Sequence, residues 1–500
     1  MKHFNFRRLL FTAACLLVGS LATYAADDDL ITQQVTITLD EAGTLPDKIS
    51  DTKKYKITNL KIIGKINGTD LKMIRDMAGC SFYINDRDES VTNRNLSILN
   101  LREAHIVYDE RNAYCEMYWK QDGKTVYHAY YVNESDVIPV ALFYYSKSLT
   151  SIFLPLTTTK ICPDAFSACT GLTNISNLSN VTSIGDGAFS GCTGLTGISI
   201  PSNITSIGNN VFSGCTGLTG ISFPNVRSIG DGAFSGCTGL TSISIPSNVT
   251  SIGNNVFSGC TGLTSVIVFA SVTSLDGTFS GCTELTSVIR LPSSVTSLDG
   301  TFSGCTGLTS ITLPSSVTSL DGTFSGCTGL TSIKLPSSVK EIGSNAFYDC
   351  TQLANIMIRS GVKSIGSYAF SGCTGLTSIT LPASITEIGS YAFLRTGLTS
   401  VYASWYTPIS ISTSVFGDIA QTCTLYVPKG TSMSYFVADV WGDFQNIIEI
   451  ETTGVEGITM DGDAMEVARY NLSGARLTAP QRGINVVRMS DGSTKKVLVK

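Results

Sequence analysis

A phenylalanine that returns every 22 or 23 residues limits what this chain can fold into. It stands at twelve positions: 166, 189, 212, 234, 257, 279, 302, 324, 347, 370, 393 and 416. The shared unit is Phe-x-x-Cys-x-x-Leu-x-x-Ile-x-Leu/Ile-Pro-x-x-Val-x-x-Ile-Gly. One copy fills its apolar positions with Leu308, Ile311, Leu313, Val317 and Leu320. Because a fixed period of 20–50 residues is typical of repeat architectures, the sequence predicts a solenoid.

Each unit predicts a short strand followed by a break. The pattern Leu-x-x-Ile-x-Leu is extended, and Pro314 ends it in one copy because proline cannot donate to a strand ladder. One coil cannot bury its own apolar edge, whereas stacked coils share a continuous core. We therefore expect a mostly β solenoid rod with short turns and 3-10 or helical pieces. At ~4.8 Å per coil, about eleven coils of 22–23 residues make a rod roughly 50 Å long.

The charge distribution marks the ends of this rod. Residues 26–150 carry 19 acidic and 15 basic groups, whereas residues 151–452 carry 15 and 9 in more than twice the length. We predict four segments, which are a signal peptide (1–25), an N-terminal cap with atypical repeats (26–150), a solenoid with a terminal cap (151–452) and a small C-terminal β-module (453–500). Residues 432–444 have helix-like apolar spacing and are expected to close the last coil.

The N-terminus has the pattern of a secretion signal. Lys2, Arg7 and Arg8 precede an apolar core from Leu9 to Leu21, which is too short to span a bilayer. We expect cleavage after Ala25. A lipoprotein anchored at a cysteine inside the apolar core is the less favoured alternative, because the residues before that cysteine do not fit. No other segment has 18 uninterrupted apolar residues, so no transmembrane span is expected after cleavage.

The cysteines follow the repeat. Ten of the 15 stand three residues after the repeat Phe, and eight of them form the predicted core ladder together with Phe189, Phe212, Phe234 and Phe257: Cys192, Cys215, Cys237, Cys260, Cys282, Cys305, Cys327 and Cys350. Equivalent side chains on adjacent coils lie ~4.8 Å apart, but bridged Cβ atoms lie ~3.8 Å apart. This favours a reduced, buried ladder over disulfides, and Cys162, seven residues before Cys169, is the first candidate for an exception. The absence of Cys-x-x-Cys argues against zinc.

A row of short polar residues stands three positions before the repeat Phe: Asp186, Asn209, Asp231, Asn254, Asp276, Asp299, Asp321, Ser344, Ser367 and Ser390. Such side chains bond local backbone amides in turns, which is the favoured interpretation. Stacked carboxylates that bind Ca²⁺ are the alternative, although one Asp per coil supplies few of the six to eight oxygen ligands that this ion takes.

The surface candidates are hydroxyls and aromatic rings. Thr-Ser pairs such as Thr318-Ser319 line one face of the solenoid, and the low charge of this face predicts binding that depends weakly on salt. Exposed aromatic residues are typical contact residues, and the candidates near the C-terminal coils are Tyr368, Tyr391, Tyr402, Trp405 and Tyr406. A second group lies in the cap: Tyr127, Tyr130, Tyr131, Tyr144 and Tyr145.

Catalysis has few candidate residues here. The chain has three histidines, and it lacks Gly-x-Ser-x-Gly, His-Glu-x-x-His and a phosphate-binding loop. A two-carboxylate glycosidase stays open from sequence alone. We predict no catalytic residue, cofactor or metal. The net charge of −5 argues against a nucleic-acid partner.

The repeat unit resembles the BspA-type leucine-rich repeat family over roughly residues 30–450. An N-terminal signature, Asn67-Gly-Thr-Asp70-Leu71, and an end signature, Cys423-Thr-Leu-Tyr-Val-Pro428, fit the same family. The tail from Tyr470 to Lys500 resembles C-terminal sorting modules of secreted Bacteroidetes proteins. Strands are expected at 466–472, 484–489 and 496–499, with a turn at Ser490–Ser493.

The resemblance implies a non-enzymatic protein on the exterior of the outer membrane. It implies adhesion to a protein or glycan of a host or neighbouring cell. A glycan-binding component of nutrient capture and an architectural spacer are the alternatives.

Overall fold

The computed structural model describes residues 30–80, 94–121, 124–450, 466–471, 476–489 and 494–499. In this part the chain forms a parallel β-solenoid of about 17 turns with little helix, and its last strands form an antiparallel sheet. The predicted signal peptide (1–25) and the predicted turn at Ser490–Ser493 lie outside the described residues.

In the described residues up to 184, the chain forms three helices and ten strands. The helices are α1 (Leu45–Lys48), α2 (Asp51–Lys54) and α3 (Gly68–Met77). The strands are β1 (Val35–Leu39), β2 (Asn59–Ile66), β3 (Ile98–Ile106), β4 (Cys115–Gln121), β5 (Lys124–Tyr130), β6 (Val137–Ile138), β7 (Ser151–Phe153), β8 (Lys160–Ile161), β9 (Asn174–Ser176) and β10 (Ser183–Ile184).

The remaining solenoid strands are short because proline or glycine interrupts each coil. They are β11 (Ser206–Ile207), β12 (Ser228–Ile229), β13 (Ser242–Ile245), β14 (Ser251–Ile252), β15 (Ser265–Val268), β16 (Ser287–Arg290), β17 (Ser332–Ile333), β18 (Glu341–Ile342), β19 (Asn355–Ile356), β20 (Ser364–Ile365), β21 (Ser378–Leu381), β22 (Glu387–Ile388), β23 (Ser400–Ala403), β24 (Thr424–Pro428) and β25 (Asn446–Ile450). One helix, α4 (Ser432–Phe436), and two 3-10 helices, Gly417–Gln421 and Trp441–Asp443, belong to the C-terminal end.

The strands lie on two sides of the solenoid and pair in parallel from coil to coil. The first side, called the strand face here, contains the sheets β1-β2-β3-β7-β9, β13-β15-β16, β17-β19 and β21-β23-β24-β25. The second side contains β6-β8-β10, β11-β12-β14 and β18-β20-β22. Strands β4 and β5 form an antiparallel hairpin of their own.

The solenoid begins earlier than the repeat spacing indicated. Strand β1 pairs in parallel with β2, β2 with β3, and β3 with β7. The zone expected as a cap with atypical repeats therefore supplies turns of the same sheet. Helix α3 and the β4–β5 hairpin lengthen the spacing between these strands, which hides the period in the sequence. About 17 turns thus replace the eleven that were predicted.

A column of stacked phenylalanines forms the centre of the core. Adjacent rings from Phe143 to Phe416 have centroids 5.2–6.0 Å apart and planes within 16° of parallel. All these rings are buried. Offset stacking at this distance is favourable for aromatic pairs, so each coil adds one pair to the column.

The N-terminal end of the column is closed by the α3 region. The buried Asp70 carboxylate accepts the backbone N–H groups of Gly43, Leu45 and Asn67, which ties the first loop to the start of α3. The buried Arg75 guanidinium donates to the carbonyl oxygens of Ala141 and Leu142, at 2.6 Å each. The Asp70 carboxylate thus satisfies three backbone amides, and the Arg75 guanidinium satisfies two backbone carbonyls beside the first ring of the column.

Trp441 closes the C-terminal end. It is fully buried, and its ring meets that of Phe416 edge-on at 5.7 Å, while Phe444 meets the same phenylalanine at 5.1 Å. Its indole Nε1 donates to Ile409 O at 2.7 Å. The predicted closure by residues 432–444 is therefore present, although Phe436 is 67% exposed.

The last strands are β26 (Glu466–Tyr470), β27 (Arg476–Leu477), β28 (Gly483–Met489) and β29 (Thr494–Val499). They form an antiparallel sheet in the order β27-β26-β28-β29. Three of them lie where the sequence predicted strands. Among the described residues, no helix combines the length and the apolar character that a membrane span requires.

Candidate functional site

Each coil turns around its phenylalanine with two residues in the left-handed region. In twelve consecutive coils, from Phe143 to Phe393, the residues two before and two after the ring have φ between +51° and +78°. Their amides donate to the next coil, as Gly191 N does to Ser213 O at 2.7 Å. Glycine adopts this region without the steric cost that a Cβ brings. We call the two rows the left-handed columns.

The middle coils fill these columns with glycine or asparagine. The residues before the ring are Gly187, Asn210, Gly232, Asn255, Gly277, Gly300, Gly322 and Asn345, and those after it are Gly191, Gly214, Gly236, Gly259, Gly281, Gly304 and Gly326. Other side chains occur only toward the two ends: Ala141, Tyr145, Asp164 and Ala168 at one end, and Asp349, Tyr368, Tyr391 and Arg395 at the other. The C-terminal coils therefore differ from the consensus at positions where the backbone favours glycine.

Three tyrosines cluster on these C-terminal coils. Tyr368 and Tyr391 stack with ring centroids 5.0 Å apart, and Tyr348 meets Tyr368 edge-on at 6.4 Å. Tyr368 is 37% exposed and Tyr391 is 38% exposed. We call these three residues the tyrosine cluster. Two of them were predicted contact candidates, and the fold brings them together.

Tyr402 lies on the strand face, opposite Tyr426 in the register of β23 and β24. The two rings stack at 4.6 Å. Partial burial and then the neighbouring Tyr426 raise the pKa of Tyr402. Tyr406 is 62% exposed. Of the predicted candidates, Tyr402 therefore lies on the strand face, whereas Tyr368 and Tyr391 lie in a left-handed column.

Trp405 is not a surface residue, which corrects its prediction as a contact candidate. It is buried, its ring lies 5.8 Å from that of Trp441, and its Nε1 donates to Ile385 O at 2.9 Å. The neighbouring Tyr435 hydroxyl donates to Trp405 O. The side chain thus belongs to the closure of the last coils, and its apolar character explains why sequence could not separate the two roles.

The tyrosines of the N-terminal group have mixed positions. Tyr145 is 41% exposed, with the Lys147 ammonium 5.3 Å from its ring centroid. Tyr130, Tyr131 and Tyr144 are half-buried, and the side chain of Tyr127 lies outside the described residues.

The repeat cysteines point inward and bond to the preceding coil. The Sγ of Cys215 donates to Phe189 O at 3.1 Å, and Cys260 donates to Phe234 O at 3.2 Å. The 14 cysteines of the described part are free and buried, Cys162 included. Burial raises the pKa of Cys260 to about 12, because an apolar surrounding disfavours the thiolate. These thiols therefore act as small apolar groups with a weak donor.

The short polar row bonds from one coil to the next. Asp186 Oδ1 accepts Asn209 N at 2.8 Å, and Asn209 Oδ1 in turn accepts Asp231 N at 2.8 Å. The sequence predicted that these side chains accept hydrogen bonds from amides of their own turn. They do accept backbone amides, but the donor lies 22 or 23 residues away, in the next coil. Burial and then the charges of Asp276 and Asp321 raise the pKa of Asp299.

Within the described residues, no group of three or more His, Cys, Asp or Glu side chains is placed to hold a metal ion. His105 is exposed, with its Nδ1 4.0 Å from Asp136 Oδ1. His128 is also exposed, and its ring lies 4.6 Å from that of Tyr130.

Three aromatic residues of the core column and of these surfaces were not predicted. Phe143 stands 23 residues before Phe166, so the spacing alone could have identified it. Tyr348 replaces the serine that follows most repeat phenylalanines, and comparison of adjacent repeats reveals it. Tyr426 lies 24 residues after Tyr402, which places both rings in the same strand position.

Comparison with known proteins identifies the repeat. The family model for the BspA type leucine rich repeat region (6 copies) matches residues 136–264, 218–322 and 299–422, which together cover more than half of the chain. No curated protein sequence matches the chain.

Solved structures of leucine-rich repeat proteins resemble it. The pneumococcal vaccine antigen PcpA is 23% identical, with 61% of this chain and 80% of that chain covered and a TM-score of 0.47. A leucine-rich repeat protein from Bacteroides ovatus is 21% identical, with 69% and 99% covered and a TM-score of 0.40. A leucine rich cell surface protein from Faecalibacterium prausnitzii is 25% identical, with 69% and 89% covered and a TM-score of 0.38.

The matched residues contain the phenylalanine column, the cysteine row and the left-handed columns of the middle coils. This chain belongs to the BspA-type leucine-rich repeat family.

Proposed function

We propose that this protein is exported and binds a protein partner at the cell surface through its solenoid, without catalysing a reaction. The observation that carries the proposal is the set of exposed tyrosines on the C-terminal coils, in a solenoid whose other coils expose mainly Ser, Thr, Asn and Gly. Tyrosine is enriched among the residues that dominate binding energy at protein interfaces.

The family supports this proposal in general terms, since leucine-rich repeat solenoids are typically binding scaffolds. Export is supported by the basic and apolar pattern of residues 1–25. The resemblance of residues 453–500 to sorting modules supports a final position on the outer-membrane exterior.

Glycan binding is the second candidate function. The hydroxyl groups on the strand face repeat at the spacing of the coils, and the stacked Tyr402 and Tyr426 interrupt them near one end. A repeating face of this kind suits a repeating polymer. Its low charge predicts little electrostatic steering for either class of ligand.

The test is binding of the full chain to arrays of extracellular-matrix proteins and polysaccharides at two salt concentrations. We expect saturable binding to a protein, with a Kd that changes less than about threefold with salt. The heat-denatured chain is the control for non-specific adsorption. Binding to polysaccharides alone would replace the proposal by the second candidate, and binding to neither array would favour an architectural spacer.

A further inference from the structure

The closure of the last coil leaves three apolar side chains exposed on one side of α4. Met433, Phe436 and Val437 are 71%, 67% and 72% exposed. They stand at positions i, i+3 and i+4, so they share one face of this helical segment. Tyr435, by contrast, is fully buried. A contiguous apolar group of this kind is typical of an interaction site, and we call these three residues the end patch.

The chain leaves the solenoid beside the end patch. Glu449 Oε1 accepts Ser432 N at 2.9 Å, so the end of β25 lies next to the start of α4. Fifteen residues separate the end of β25 from the start of β26. They span at most about 50 Å, which keeps the C-terminal sheet at an effective concentration on the order of 1 mM near the end patch. At this concentration a weak contact is sufficient for docking.

The C-terminal sheet needs a second layer. Its four strands lie within residues 466–499, and the sequence has no cysteine after Cys423 that could cross-link them. Chains of fewer than about 40 residues usually need a disulfide, a metal or association with another surface to stay folded. A sheet with an apolar face also has to bury that face against another element.

The register of the sheet identifies the face that needs this layer. Asn485 and Val487 lie on one side of β28, and both are buried. Successive residues of a strand belong to opposite faces, and the pairing of β28 with β26 and β29 aligns residues across the sheet. The face opposite Asn485 therefore contains four apolar positions: Tyr470, Ile484, Val486 and Leu498.

The two parts of the chain carry opposite charges. Residues 396–450 contain four acidic residues and one basic residue, and Asp439 and Asp443 lie exposed close to the end patch in sequence. Residues 466–500 contain seven basic and two acidic residues. Complementary charges favour association of these two parts. A second copy would instead bring the same acidic surface against itself across a two-fold axis.

We propose that the C-terminal sheet docks on the end patch of its own chain. The face that contains Tyr470 and Val486 packs against the three exposed side chains of α4, and the basic residues of the sheet lie near Asp439 and Asp443. The docked sheet gains its second layer and covers the end of the solenoid. This inference goes beyond the proposed function and does not depend on the ligand of the solenoid, so its failure would leave that function unchanged.

The test measures amide hydrogen exchange of β26 and β28 in the full chain. A Phe436→Ser/Val437→Ser variant removes apolar contacts from the end patch. Both side chains are exposed, so we expect the melting temperature of the solenoid to stay within about 2 °C. The control is Leu156→Ser, which changes an apolar side chain that is 43% exposed in an early coil. We expect exchange in β26 and β28 to become at least tenfold faster in the double variant and to stay unchanged in the control.

A second variant tests the charges and leaves the apolar residues in place. We expect Asp439→Lys/Asp443→Lys to speed up exchange in β26 and β28 about threefold or more at low salt, and less at about 0.5 M salt. If the serine variant destabilises the solenoid, the charge variant decides alone.

The same exchange rates in β26 and β28 for the wild-type chain and the charge variant would overturn the docking, as would equal rates for a folded serine variant. Protection of these strands that rises with protein concentration, with a dimer in light scattering, would also overturn it, because a second copy would then cover the end patch.

Discussion

Replacement of Phe257 by alanine tests the role of the phenylalanine column. The ring is fully buried between Phe234 at 5.3 Å and Phe279 at 5.9 Å, with planes 10° and 8° from parallel. Truncation of a buried phenylalanine to alanine costs about 3–5 kcal/mol, and each aromatic pair contributes about 0.5–1.5 kcal/mol. Because this ring has a partner on both faces, we expect a loss near the upper end, about 5 kcal/mol.

A Phe257→Leu variant separates the aromatic pairs from the cavity. Leucine keeps much of the side-chain volume but cannot stack, so we expect a loss of about 2 kcal/mol. The difference in the free energy of unfolding between the alanine and leucine variants then measures the cost of the cavity. The free energy of unfolding comes from urea denaturation followed by circular dichroism.

The reactivity of the buried thiols reports which coils open when Phe257 is replaced. Since each coil contacts only its neighbours, opening begins around the altered coil. Iodoacetamide labelling in low urea, read for each cysteine by mass spectrometry, is expected to rise first at Cys237, Cys260 and Cys282. Equal labelling at the distant Cys169 and Cys373, or an alanine variant no less stable than the leucine variant, would refute the reasoning.

Three further predictions concern single side chains. Cys260→Ser places a hydroxyl where burial holds the thiol pKa at about 12, and we expect a loss of about 1–2 kcal/mol in urea denaturation; an unchanged midpoint would contradict a buried ladder. Burial and neighbouring carboxylates raise the pKa of Asp299, so the folded state loses stability as pH rises through that raised pKa and the carboxyl ionises. Asp299→Asn removes this ionisation and is expected to raise the melting temperature at pH 7; equal melting temperatures would contradict this. Glu449 accepts the N–H groups of Gly430 and Ser432, which lower its pKa to about 2. The stability that it adds is present above the unfolded pKa near 4.5 and is lost as pH falls toward 2, so Glu449→Gln is expected to flatten this part of the melting-temperature profile; parallel profiles would contradict it.

The repeat unit alone predicted the class of the fold. The period of Phe257 and its equivalents, with a cysteine three residues later in ten of the twelve copies, predicted that both side chains lie inside the coil, and both are buried there. The local sequence pattern was sufficient to predict the solenoid because every coil packs the same residue types at the same positions of its core. The early turns were underestimated because β1, β2 and β3 are separated by insertions rather than by a constant spacing.

The candidate surface was harder to predict because the exposure of a side chain and its partner in the next coil depend on the three-dimensional fold, which one sequence does not specify. Trp405 and Tyr406 are adjacent aromatic residues, yet one is buried and the other is 62% exposed. The partner of Asp186 is the amide of Asn209 in the next coil, since the turn aligns the two positions. The strain at Tyr368 follows from its backbone φ of +59°, which the residue type alone does not reveal.

The equal contacts between consensus coils have a consequence for length. Because adjacent middle coils join through the same ring pair, thiol bond and left-handed turn, one whole coil can be inserted or removed while every remaining junction keeps its geometry. Each such change moves the C-terminal coils by about 4.8 Å relative to the N-terminal end. The number of coils therefore sets the distance between the tyrosines and the N-terminal end of the solenoid. Gain or loss of whole coils can change this distance in evolution without a substitution at either end.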